Sequence, residues 1–83
     1  KITTAKLNQF LKSIIAQQSP PAIRGKVINM KYMTQVHTSP HLFVIFSSYP
    51  KLIPMSYRRF IENQLRENFD LLGVPVRISF RQK

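Results

Sequence analysis

The chain has 83 residues, enough for one small domain that buries roughly 60–65% of its unfolded surface. Thirteen Lys and Arg stand against three acids, a formal net charge of +10. There is no cysteine, which excludes disulfides, iron–sulfur clusters and thiolate zinc sites. No apolar run approaches the roughly 20 residues needed to span a bilayer, and the opening KITTAKLN is unlike a signal peptide. The chain starts without Met, and the expectation is a domain taken from a longer cytoplasmic protein.

In chain order, Thr3 or Thr4 is placed to cap a first helix, its hydroxyl accepting from an otherwise unpaired backbone N–H. Leu7, Phe10, Leu11, Ile14 and Ile15 recur at i, i+3, i+4, i+7 and i+8, one apolar face that carries the helix to about Gln17. Ser19, Pro20 and Pro21 stop it, because proline lacks an N–H and disfavours helix at the residue before it. After Gly25 the pattern turns extended. Over residues 26–36, Ile28, Met30, Tyr32 and Val36 fall on one side and Asn29, Lys31 and Gln35 on the other, with Met33 on the more polar side. Residues 37–41 read as a turn, and residues 42–46 as a strand apolar on both faces. The alternative register of that strand ends in Ser47, so Leu42, Val44 and Phe46 are expected to face the helices and Phe43 and Ile45 to face away.

A loop holding Pro50 and Pro54 leads to a second helix, with Pro54 as its first residue. Tyr57, Phe60, Ile61, Leu65 and Phe69 form its apolar stripe. Gly73 makes a turn, and Val76, Ile78 and Phe80 then alternate strictly with Arg77, Ser79 and Arg81. The order is helix, strand, strand, helix, strand. Each helix has one apolar stripe and each strand one apolar face, so the predicted fold is α+β in two layers: two helices packed on one face of a three-stranded sheet. The strand order within the sheet stays open.

All three acids, Glu62, Glu67 and Asp70, lie on the second helix, where Arg58, Arg59 and Arg66 balance them one for one. The pairs Arg58–Glu62 and Arg66–Asp70 have the i,i+4 spacing that supports a helix. Of the thirteen basic residues, ten remain outside that helix with no acid to oppose them. An unopposed field of this kind favours a polyanion such as RNA; the plain alternative is a basic surface that keeps a small domain in solution.

Chemistry-bearing motifs are missing. Gly25 and Gly73 are the only glycines, so no phosphate-cradling loop can be written. The acids sit among arginines and form no catalytic pair. His37 and His41 lie in a turn without a neighbouring acid or Cys, which leaves no metal site. The expectation is that this chain is not an enzyme and holds no cofactor or metal.

The run PPAIRGKVINMKYMTQVHTSPHLFVIFSSYP followed by SYRRFIENQLRENFDLLGVPVRISFR closely resembles the C-terminal KH-like domain of the bacterial GTPase family Der, also called EngA. The specific pieces are Pro20-Pro21 before a Gly-led basic strand, Tyr32-x-Thr34-Gln35, the helix with Tyr57, Glu62, Asn63, Leu65 and Arg66, and Gly73-x-Pro75-x-Arg77-x-x-Phe80-Arg81. The resemblance covers nearly the whole chain. It implies a KH-like domain over residues 1–83, part of a protein with two tandem GTPase domains that bind GTP and Mg and act in assembly of the large ribosomal subunit. The implied partners are those GTPase domains and the large subunit or its RNA, with no membrane and a monomeric fragment. A KH domain of the RNA-clamping type uses a GXXG loop between two helices; this chain has none, and neither does the family.

On the helix-free face of the sheet, Lys31, Arg77 and Arg81 are therefore expected to contact phosphates or an acidic partner. Met33, Phe43 and Ile45 are expected to form the apolar centre of a docking surface there, with Arg24 and Lys26 at its flank. An independent RNA-binding domain that needs no GTPase remains the alternative.

Overall fold

A computed structural model describes all residues, 1–83. Helix α1 spans Thr4–Gln17 behind Thr3, whose extended backbone and hydroxyl cap it: the Lys6 N–H donates to Thr3 Oγ1 at 3.3 Å. Leu7, Phe10, Leu11 and Ile14 are its buried face, as the spacing predicts. Beyond the Ser19-Pro20-Pro21 stop, Arg24 and Gly25 both take positive φ (54° and 76°). Ile23 and Lys26 exchange both backbone hydrogen bonds around them, at 3.0 and 2.9 Å. Two consecutive left-handed residues close a two-residue hairpin, and glycine carries the second without a Cβ penalty.

Strand β1 spans Met30–Thr38, β2 His41–Ser47 and β3 Val76–Gln82. The sheet order is β1-β2-β3, with β1 antiparallel and β3 parallel to the central β2. The parallel pair is made possible by the crossover through helix α2, Met55–Asn68. The α-β-β-α-β order and the two layers are as expected, with a single 3-10 turn, Pro50–Leu52, added before α2. Pro54 is the N-cap of α2 rather than its first helical residue, with extended backbone at φ −64°, ψ 150°.

One expectation is overturned. Met33, Phe43 and Ile45 are not a docking surface: each is fully buried in the core, in one cluster with Leu7, Ile14, Ile61 and Leu65 of the two helices. Strand β1 does not alternate strictly, because the ladder is irregular between Met30 and Tyr32 and again between Gln35 and His37. Each bulge adds one residue and inverts the facing of the residues beyond it. Met30, Met33 and Gln35 all point inward, while Tyr32 and Val36, expected in the core, are exposed. On β2, Phe43 and Ile45 pair with Gln35 and Met33 and face the helices, so Leu42, Val44 and Phe46 face away.

Two buried polar residues explain why composition misdirects the register. Ser47 is fully buried and its hydroxyl donates to the Ser48 carbonyl at 2.8 Å. Gln35, 2% exposed, has both ends of its amide satisfied: Oε1 accepts from the Ile2 N–H at 2.8 Å, and Nε2 donates to the His37 carbonyl and lies 3.0 Å from His41 Nδ1. Once hydrogen-bonded, such groups carry little penalty for burial.

Phe10 of α1 and Phe69 at the end of α2 stand T-shaped with centroids 5.6 Å apart, and within α2 the Tyr57 ring lies 5.5 Å from Phe60. The buried Tyr57 hydroxyl donates to the Gln18 carbonyl at 2.7 Å, tying the start of α2 to the end of α1. Burial pushes the Tyr57 phenol up to about 12. The i,i+4 pairing on α2 also differs from expectation. Arg66 pairs with Glu62 at 3.9 Å rather than with Asp70, which lies past the helix end at φ 56°. Arg58 leaves Glu62 and donates to the Ile53 and Pro50 carbonyls at 3.1 and 2.8 Å.

Candidate contact surface

The helix-free face is set by the outward residues of three strands. On β3, Val76, Ile78 and Phe80 pack against the core, which turns Arg77, Ser79 and Arg81 outward as the alternation predicts. The ladder then sets Leu42 beside Arg77, Val44 beside Ser79 and Phe46 beside Arg81. On the other side of β2, Thr34 pairs with Val44 and Tyr32 with Phe46. Val44 is shut at the sheet centre with 1% of its surface exposed.

One end of this face joins aromatic carbon to positive charge. The Tyr32 and Phe46 rings lie 6.3 Å apart at 40°, and Lys83 Nζ sits 5.8 Å above the Phe46 ring. Arg81, one strand over from Phe46, is exposed, and its Nε donates to Ser79 Oγ at 3.4 Å. Lys31, exposed at the first bulge of β1, adjoins Tyr32. The only ion pair in the molecule is Arg66–Glu62 on α2, so Lys31, Arg77, Arg81 and Lys83 are all without an acidic partner. Ring faces attract cations and also stack on planar groups, and unpaired guanidinium and ammonium groups hold phosphate or carboxylate.

The structure brings Arg77 and Arg81 to this face, leaves Lys31 exposed at the bulge beside Tyr32, and separates Arg24 and Lys26 from it. Arg24 rides the tip of the Ile23–Lys26 hairpin, and Lys26 Nζ lies 5.5 Å over the Tyr49 ring. Tyr32, Phe46 and Lys83 join the surface without having been singled out from sequence. The signal for the first two was present: Met30 and Met33 are both apolar and three apart, a spacing an unbroken strand cannot place on one face. His37 and His41 serve the β1–β2 turn. The Ser39 N–H donates to His37 Nδ1 at 3.2 Å, and the His41 ring stacks on Phe43 at 6.5 Å.

The sequence matches a family model over residues 1–81, described as the KH-domain-like C-terminal domain of EngA bacterial GTPase enzymes. GTPase Der of Bartonella tribocorum is 52% identical over 81 residues, and that of Bartonella quintana 53%. GTPase Der of Brucella suis is 49% identical over the same length. Each alignment covers 98% of this chain and 17% of the relative, so the chain spans about a sixth of the length of those proteins. The chain belongs to the family of KH-like C-terminal domains of EngA-type bacterial GTPases.

Proposed function

We propose that this domain is the docking and RNA-contact module of a cytoplasmic GTPase that acts in large ribosomal subunit assembly, and that it couples the nucleotide state of upstream GTPase domains to ribosome binding. GTP and Mg belong to those domains; this chain supplies the contact surface. The observation that carries the reading is the unopposed charge of Arg81, Lys31 and Lys83 around the exposed Tyr32 and half-buried Phe46, with Arg77 farther along the same face beside Leu42. Guanidinium and ammonium groups neutralise backbone phosphates with a strong salt dependence, and an aromatic pair offers stacking that is indifferent to base identity. The family's lack of a GXXG loop fits a contact made through the sheet face rather than a single-strand clamp between helices.

The test is Arg77→Glu with Arg81→Glu in the full-length GTPase, read as co-sedimentation with large ribosomal subunits. Loss of association is expected; unchanged association would remove the sheet face from the reading. The Tyr32–Phe46 pair, with Tyr32 exposed, also favours a second reading, an RNA-binding domain that works without GTPase domains. Binding of RNA by the chain alone across a salt series separates the two. Sub-micromolar affinity at physiological salt, falling steeply as salt rises, supports independent binding. Negligible affinity, with docking to separately expressed GTPase domains, supports the coupling module.

A further inference from the structure

The two edges of the sheet are treated differently. On the β1 edge, the Asn8 amide closes the backbone: the Met33 N–H donates to Asn8 Oδ1 at 3.0 Å, and Asn8 Nδ2 donates to the Met33 carbonyl at 3.1 Å. On the β3 edge there is no counterpart. No backbone group of Val76–Gln82 bonds to anything except its ladder neighbours on β2. In a parallel pair every second residue of an edge strand turns both its N–H and its C=O outward, so β3 presents an unused row of alternating donors and acceptors.

Beside that row lies a groove of about 590 Å³, between the end of β3 and the Pro50–Leu52 turn. Leu52 and Phe80 give it apolar carbon, and Lys51 and Arg81 give it charge. Its outer wall is held in place. Arg58 donates to the Pro50 and Ile53 carbonyls while its guanidinium lies 4.6 Å over the Phe80 ring. The turn is thus fixed alongside the strand without hydrogen-bonding to it.

We infer that this groove receives an extended acidic peptide segment, which adds to β3 as a fourth strand. Two observations select that occupant. The edge offers carbonyls as well as N–H groups, and another strand satisfies both in register, whereas the phosphates of a nucleic acid are acceptors only and leave the carbonyls unmatched. Lys51 and Arg81 have no acidic partner, and the chain's net charge of +10 repels basic segments and further copies of itself. The groove stands apart from the sheet-face surface. Only Arg81 is shared, and Lys51 belongs to the groove alone.

The test titrates the isotope-labelled chain with a pool of octapeptides alternating Glu or Asp with Val, Leu or Phe, at physiological salt. The expected result is saturable amide shifts at Lys51, Leu52 and residues 79–82, with slowed hydrogen exchange along β3 and none of these changes in α1. N-methylation of alternate peptide residues is expected to weaken binding at least about tenfold, because it removes strand pairing and keeps the side chains. Lys51→Glu, at an exposed position, is expected to weaken it about fivefold to tenfold. Equal binding by the N-methylated pool, equal binding by a Lys-for-Glu pool, or no saturable shift at β3 overturns the inference. So does an oligouridylate octamer that occupies the groove in place of the peptides.

Discussion

Asn8 is a polar residue on the flank of an amphipathic helix, and nothing in the α1 pattern marks it. In the fold, its side-chain amide makes three bonds, to the Thr4 carbonyl and to both backbone groups of Met33. Asn8→Ala leaves the N–H and C=O of buried Met33 unpaired and is expected to cost about 1–3 kcal/mol in urea unfolding. Phe43 and Tyr32 test the register correction directly. Phe43 is fully buried, so Phe43→Ala is expected to cost about 3–5 kcal/mol, most of the stability of a domain this small. Tyr32→Ala, at a position 41% exposed, is expected to cost less than about 1.5 kcal/mol, the value of its ring contact with Phe46. A docking-surface role for Phe43 predicts the reverse order. Tyr57 adds a pH dependence with a definite sign. Its phenol, ordinarily near 10, is raised to about 12 by burial. Below pH 10 both folded and unfolded chains keep the proton. Between pH 10 and about 12 the unfolded chain releases it and the fold does not, so stability falls as pH rises. Tyr57→Phe is expected to remove that part of the alkaline slope while losing the bond to Gln18, as read by denaturation at pH 8 and pH 11.

At the scale of elements, the fold is legible in the sequence wherever the regular periods survive. Both helices and β3 keep their spacing unbroken, and Thr3, Gly73 and the double proline punctuate them, so their faces are read correctly, while α2 begins one residue after Pro54 and ends before Asp70. Strands β1 and β2 fail that reading for one physical reason. Two bulges shift the phase of β1, while Gln35 and Ser47 are buried with their hydrogen bonds satisfied locally. A pattern that equates polar with outward then assigns β2 to the wrong face, and with it Met33, Phe43 and Ile45. The basic half of the candidate site is legible because Arg77 and Arg81 sit on the strand that keeps its period. The aromatic half is hidden by the bulges of β1. The turns provide a further check. Gly25 and Gly73 hold φ of +76° and +77°, and an added Cβ meets nothing within 4 Å at either. Gly25→Ala and Gly73→Ala are therefore expected to cost about 1–2 kcal/mol from left-handed backbone alone. Arg24→Asn, which suits the first position of this hairpin, is expected to stabilise by a few tenths of a kcal/mol, seen as a small rise in Tm.

For the whole molecule, the charge is arranged as a scaffold and a field. Helix α2 and the turn after it carry the three acids and three arginines and contribute little net charge, while the sheet face and β3 carry unpaired cations. Removing Arg77 and Arg81 is expected to leave unfolding free energy within about 0.5 kcal/mol of the parent, since both are exposed and unpaired. If the sheet face holds single-stranded RNA, the same double substitution lowers the slope of log affinity against log salt by roughly 0.7 for each phosphate that is no longer neutralised. Together the two measurements separate a contact role from a folding role. The unequal edges have one more consequence, for what this domain does when crowded. A sheet with both edges open can add copies indefinitely, and that is the geometry of a fibre. Here the β1 edge is stoppered by Asn8, so each molecule offers a single site for strand exchange. Two copies meeting at β3 would exhaust it. Growth by edge pairing therefore terminates at a pair, and the domain tolerates an unguarded sticky strand without becoming a monomer of a polymer.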